Sequence, residues 1–141
     1  MVDDILKKYP DDVKVVIKNF PLSFHKQAYK AAQYVTAARE QGKYKELYHK
    51  VFENYKNLKN NEDLPLELAA ELGLDVEKLK ADANSAKITS QIDEEIKQMR
   101  TSGIPRLSVP KFLINGKEPQ GRSLEAWSAV IDQELKKNKS K

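Results

Sequence analysis

Few residues in this chain of 141 can do covalent or metal chemistry: it has no cysteine and two histidines, His25 and His49. The missing cysteines remove disulfides, thiolate nucleophiles and thiolate metal ligands together. The histidines lie far apart without ligand spacing, so no zinc site is expected, and His25 reads as a packing or capping residue at a strand–helix corner. Asp93, Glu94 and Glu95 are consecutive on a predicted helix; they should fan outward as a solvated face and not form an acid–base pair. Tyr44, Tyr48, Phe52 and Tyr55 recur at helical spacing and read as the core of a helical segment, with a ligand groove as the sharper alternative. There is no Gly-rich phosphate loop, no GxSxG and no HExxH. What remains is Ser108-Val109-Pro110-Lys111-Phe112-Leu113-Ile114-Asn115-Gly116-Lys117, a proline loop entering an apolar run that ends in Asn-Gly.

Composition narrows the partners. A chain with 40% hydrophobic residues is long enough for one globular core. Charged residues make up 33%, the signs are interspersed, and the net charge is +4. The basic excess sits partly in Lys136-Lys137-Asn138-Lys139-Ser140-Lys141, which reads as a solvated end. Only Arg39, Arg100, Arg106 and Arg122 among the 25 basic residues are arginines. Bidentate phosphate and base recognition favours arginine, so no nucleic-acid partner is expected. No apolar run approaches a membrane span. Met1 to Lys8 is acidic near its start and lacks an apolar h-region, so it does not read as a secretory signal.

The positions of these residues follow from periodicity. Val2, Ile5, Leu6 and Tyr9 predict a short helix, broken by Pro10-Asp11-Asp12. Val13 to Phe20 is β-branched and apolar and predicts a strand, closed by Pro21. Residues 25–41 predict a helix that Gly42 stops, and Tyr44 to Tyr55 a second. Leu66, Leu68, Ala69 and Leu72 follow Pro65, a favourable helix start. Asp75 caps one long helix running to Gly103. Lys111 to Asn115 and residues 117–121 predict a hairpin across Asn115-Gly116. Ser123 caps a last helix burying Leu124, Trp127, Val130, Ile131 and Leu135.

Four segments together carry a resemblance. Val16-Ile17-Lys18-Asn19-Phe20-Pro21-Leu22-Ser23-Phe24-His25 is similar to a strand-to-helix corner of the type NFPLxxH. Gln41-Gly42-Lys43-Tyr44 through Phe52-Glu53-Asn54 is similar to QGKF…LFEN. Val109-Pro110 with Phe112 to Lys117 is similar to TPTFFINGK, and Gly121-Arg122 with the last helix completes the order. In this order the segments resemble the DsbA-like family of thiol–disulfide oxidoreductases across essentially the whole chain. The resemblance implies an α/β, thioredoxin-like but incomplete fold, with an all-helical insertion between a strand and the C-terminal hairpin and helix. One domain, 1–141, would comprise thioredoxin-like parts 1–22 and 104–141 and a helical insertion over about 23–103.

The resemblance also implies what the chain lacks. Family members begin with a strand and a Cys-x-x-Cys helix start, where the helix dipole stabilises the nucleophilic thiolate and the second cysteine resolves the mixed disulfide. Val2 to Tyr9 resembles the tail of that helix, so the expectation is a chain that starts after both cysteines and after the central strand. In the family that strand lies between the counterparts of 13–20 and 111–115. The resemblance implies a cis bond between Val109 and Pro110, the place where the family pairs with an extended peptide, and two readings of it stay open: a structural proline inherited with the fold, or a retained peptide site. No catalytic residue, metal or other cofactor is implied. The candidate partners are an extended peptide and a second copy of the chain, with neither nucleic acid nor membrane. The compartment stays open, although the resemblance implies the periplasm or another extracytoplasmic site. Three readings follow: a redox-inactive family member that at most binds peptide, the remainder of an oxidoreductase whose Cys-x-x-Cys lies upstream, and an assembly module.

Overall fold

Between residues 26 and 101, apolar side chains recur at three- and four-residue spacing, and most of these runs are helical. The computed structural model describes residues 1–105 and 107–139, with side chains to Asn138. Its helices are α1 (Val2–Lys8), α2 (Lys26–Ala37), α3 (Tyr44–Glu53), α4 (Leu64–Glu71), α5 (Val76–Ala83), α6 (Ala86–Thr101) and α7 (Leu124–Lys139), with short 3-10 turns at Ala38–Gln41 and Asn57–Lys59. The chain divides into two compact units, Lys18–Pro105 and Met1–Ile17 with Arg106–Lys141.

The unit Lys18–Pro105 holds α2 to α6 around one core. Ala37, Ala38, Leu47, Ala69, Leu79 and Ile92 are completely inaccessible. Small alanines on α2 let its neighbours approach, and each fully buried Leu or Ile contributes roughly 1.5–3 kcal/mol. Local chemistry sets the helix ends. Gly42 ends the α2 turn region at φ 69°, a left-handed conformation that costs glycine little. Asp75 Oδ1 accepts from Lys78 N at 2.9 Å and so caps α5. Gln41 exchanges two hydrogen bonds with the backbone of Asp75, at 3.0 and 2.8 Å. The single helix expected from Asp75 to Gly103 is interrupted at Asn84-Ser85. Ser85 starts a new helix by accepting from Ile88 N at 3.4 Å. A serine competes for backbone donors, which favours a cap over a helix interior.

In the other unit, α1 packs on α7. Ile5, Tyr9, Trp127 and Ile131 are its buried core, with Val13, Phe112, Ile114 and Leu124 packed against it. Tyr9 OH donates to Asp132 Oδ1 at 2.8 Å, and Lys8 Nζ donates to Ser128 Oγ at 2.8 Å. Ser123 Oγ accepts from Ala126 N at 3.1 Å and caps α7. The basic tail expected at 136–141 lies partly outside the described residues.

The α/β expectation is corrected: the structure is 61% helix and 1% strand, and the described residues contain no sheet. Residues 13–20 have the side chains of a strand, and no backbone hydrogen bond joins residues 14–18 to another described segment. At 111–121 the Asn115-Gly116 turn forms, with φ 47° and 80°. It closes one antiparallel bridge, Ile114 with Lys117, and the hairpin extends no further. The physical reason is that a helix satisfies its backbone within one segment, whereas a strand exists only against a neighbour. β-branched composition supplies the propensity and not the partner.

Candidate functional site

The proline loop and the start of α7 build a polar recess within the unit of α1 and α7. It is a shallow cavity of about 120 Å³ lined by Pro110, Phe112, Glu118, Pro119, Gly121 and Arg122. Phe112 is fixed from below by Trp127, ring centroids 4.7 Å apart. Trp127 is anchored in turn, because its indole Nε1–H donates to Gly121 O at 3.1 Å. The Arg122 guanidinium stands over the Phe112 ring at 5.9 Å and donates through Nη2 to Pro110 O at 3.3 Å. The Val109–Pro110 bond is cis, and Val109 is 39% exposed. No hydrogen bond among the described residues reaches the Val109 N–H or C=O.

Charge in this recess is unbalanced. Lys111 Nζ holds both Glu118 oxygens, at 2.8 and 2.7 Å. That pair is internally neutral. Arg122 has no carboxylate partner among the described residues, so the lining together with Lys111 behind it carries one net positive charge. A guanidinium has five N–H donors in a planar fork, and one donor atom here is engaged by Pro110. The recess can therefore accept an anionic oxygen. At the Asn115-Gly116 turn, Glu134 of α7 accepts from Lys117 at 2.8 Å, Lys137 at 2.9 Å and Asn115 at 3.4 Å. These donors, Lys117 foremost, hold the Glu134 carboxyl down at about 2.

The other sequence candidates disperse. His25 is exposed at the start of α2, makes no side-chain cap, and packs edge-on against Phe24 at 4.6 Å. His49 packs edge-on against Tyr48. Among the described residues no group of three or more His, Asp or Glu is arranged to hold a metal. In the aromatic stripe, Tyr44 and Tyr48 pack on the core, while Phe52 and Tyr55 are each 59% exposed.

Glu95 is a correction. It is buried and accepts from Asn19 N at 2.6 Å, Asn19 Nδ2 at 2.9 Å and Gln91 Nε2 at 3.0 Å. Consecutive acids do fan out, but Glu95 follows Ile88 and Ile92 on the inward stripe of α6. That spacing was the available signal. Asp93 does face solvent, where it accepts from Tyr29 OH at 2.7 Å. Burial, with that bond and the Asp93 charge, pushes the Tyr29 phenol up to about 12. Sequence reasoning also missed Arg122, whose signal was its place directly after Gly121 and before the α7 cap.

Comparison with known proteins adds a family. A family model described as thioredoxin matches residues 1–133. The chain is similar to Na(+)/H(+) antiporter NhaA 1 of Mycolicibacterium gilvum (strain PYR-GCK), 26% identical over 132 residues, which are 92% of this chain and 20% of that protein. It is equally similar to Na(+)/H(+) antiporter NhaA 1 of Mycolicibacterium vanbaalenii (strain DSM 7251 / JCM 13017 / BCRC 16820 / KCTC 9966 / NRRL B-24157 / PYR-1), again 26% identical over 92% of this chain and 20% of that protein. The chain thus spans about a fifth of the length of the curated relatives it matches. No solved structure matches.

Proposed function

The chain belongs to the thioredoxin family, and on that premise we propose that it is a redox-silent, DsbA-like member that binds extended polypeptide at Val109, beside Pro110. The observation that carries this reading is the open Val109 backbone. Its N–H and C=O lack partners among the described residues, in an exposed loop that leads into the packed Phe112–Trp127 pair. An extended peptide supplies both missing partners, each hydrogen bond adding about 0.5–1.5 kcal/mol net. Redox silence follows from chemistry, because thiol–disulfide exchange needs a thiolate and the sequence has none. Antiport is not proposed: the names of the relatives belong to chains of which the shared region is 20%. No helix among the described residues is long and apolar enough to cross a membrane.

Titration calorimetry with a blocked peptide of alternating Val and Thr tests the reading. Binding should occur and should weaken about two- to tenfold when one central peptide amide is N-methylated, since that removes a backbone donor. Equal binding of the methylated peptide contradicts backbone pairing. Insulin reduction by the purified chain should stay at the buffer rate.

A second reading is favoured by residues 14–18, whose backbone has no hydrogen-bond partner among the described residues, with Val15, Val16 and Ile17 exposed. Here the chain is the remainder of an oxidoreductase whose Cys-x-x-Cys segment lies upstream, or it self-associates through that segment. The coding sequence before Met1 and sedimentation at several concentrations separate these forms. An upstream in-frame Cys-x-x-Cys supports the first, and a concentration-dependent dimer the second.

A further inference from the structure

We propose that Arg122 makes the peptide site selective for an acidic side chain. This rests on the peptide-binding reading above and adds the chemistry that the bound peptide must carry. Three observations converge on it. Arg122 lines the recess next to Pro110 and is tied to that residue's carbonyl, one residue from the open Val109 backbone. Its guanidinium lies over the Phe112 ring, 5.9 Å from the centroid. It lacks a counter-ion among the described residues, because the nearest acid of the lining, Glu118, is held by Lys111 through both oxygens.

A guanidinium with spare donors matches a carboxylate by two parallel N–H···O bonds. A peptide held at Val109 projects alternate side chains to opposite faces, so one side chain near the paired residue faces the recess. The recess of about 120 Å³ has room for a carboxylate head. A cationic side chain in that place meets Arg122 directly and is repelled.

Fluorescence anisotropy with three blocked Val/Thr peptides, identical except for a central Glu, Gln or Lys, tests the proposal. The full chain should bind the Glu peptide about tenfold tighter than the Gln peptide and should bind the Lys peptide weakest. The Glu preference should shrink in 1 M salt, where the Debye length is about 3 Å. Arg122→Gln should bring the Glu and Gln peptides to equal affinity, and Arg122→Lys should keep part of the preference. Because the peptide series is read on the unaltered chain, a variant that fails to fold leaves the test intact. Equal binding of all three peptides overturns the role of Arg122 while peptide binding stands. Absence of binding by any of them overturns both. Competition by free acetate at the same affinity as the Glu peptide overturns the peptide source and leaves a small-anion site.

Discussion

Helix α6 and the segment 13–17 both carry β-branched apolar residues, Ile88, Ile92 and Ile96 in one, Val13, Val15, Val16 and Ile17 in the other. In α6 they repeat at helical spacing, the backbone bonds stay within the segment, and Ile88 and Ile92 are buried. In 13–17 they are nearly continuous, the backbone finds almost no partner, and Val16 is 66% exposed. The difference teaches that apolar content alone settles neither structure nor burial. Spacing lets α6 complete its backbone locally, while 13–17 depends on a neighbour that the described residues do not supply.

The largest expected effect breaks the unit of α1 and α7 at its anchor. Trp127→Ala removes a buried ring that packs on Phe112 and bonds Gly121, and should cost about 3–5 kcal/mol in denaturant unfolding. A loss below about 1 kcal/mol contradicts the burial of Trp127. By contrast, Val16→Ala should change stability by less than about 0.5 kcal/mol, because its side chain already faces water. A large cost at Val16 would mean that the segment is covered in solution, which erases the contrast.

A smaller effect is expected at Glu95. Glu95→Ala removes the acceptor of the Asn19 N–H and one of the two acceptors of its side-chain amide, which keeps Thr36 Oγ1, and should cost about 1–3 kcal/mol. If Glu95 behaved as a solvated residue, the change would be near zero.

The smallest effect is electrostatic. Glu134 titrates at about 2 in the folded chain, held down first by Lys117 and then by Lys137 and Asn115. An unfolded glutamate titrates near ~4.3. The folded value is the lower one, so the stabilisation is complete above the unfolded value of about 4.3 and is lost as pH falls toward about 2. The group is at the surface, so the gain is modest and screened by salt. Carboxyl carbon shifts of Glu134 should show the low midpoint, and the double change Lys117→Ala, Lys137→Ala should raise it. An ordinary midpoint in the unaltered chain contradicts the network.

What was legible in the sequence is what short-range chemistry decides. The Asp75 and Ser123 caps, the left-handed Gly42 and the Asn115-Gly116 turn each need only their neighbours, and each forms. The strands at 13–20 and 111–121 needed a partner from elsewhere, and pattern reading cannot supply one. The Ser85 cap did have a signal: the step from Ala83 to Ile88 is five residues, about 140° out of helical phase, where the rest of the stripe steps by three or four. Glu95 was misread because acidity outweighed position. At the site, Val109 and Pro110 were reached through resemblance, whereas Arg122 required knowing that Lys111 takes up Glu118.

Amide hydrogen exchange at Val109, with and without the Val/Thr peptide, tests the central claim most directly. The account predicts fast exchange in the free chain and marked slowing with peptide, while amides in α2 to α6 keep their rates. Peptide binding that leaves the Val109 amide unchanged, or a Val109 amide already protected in the free chain, would contradict it.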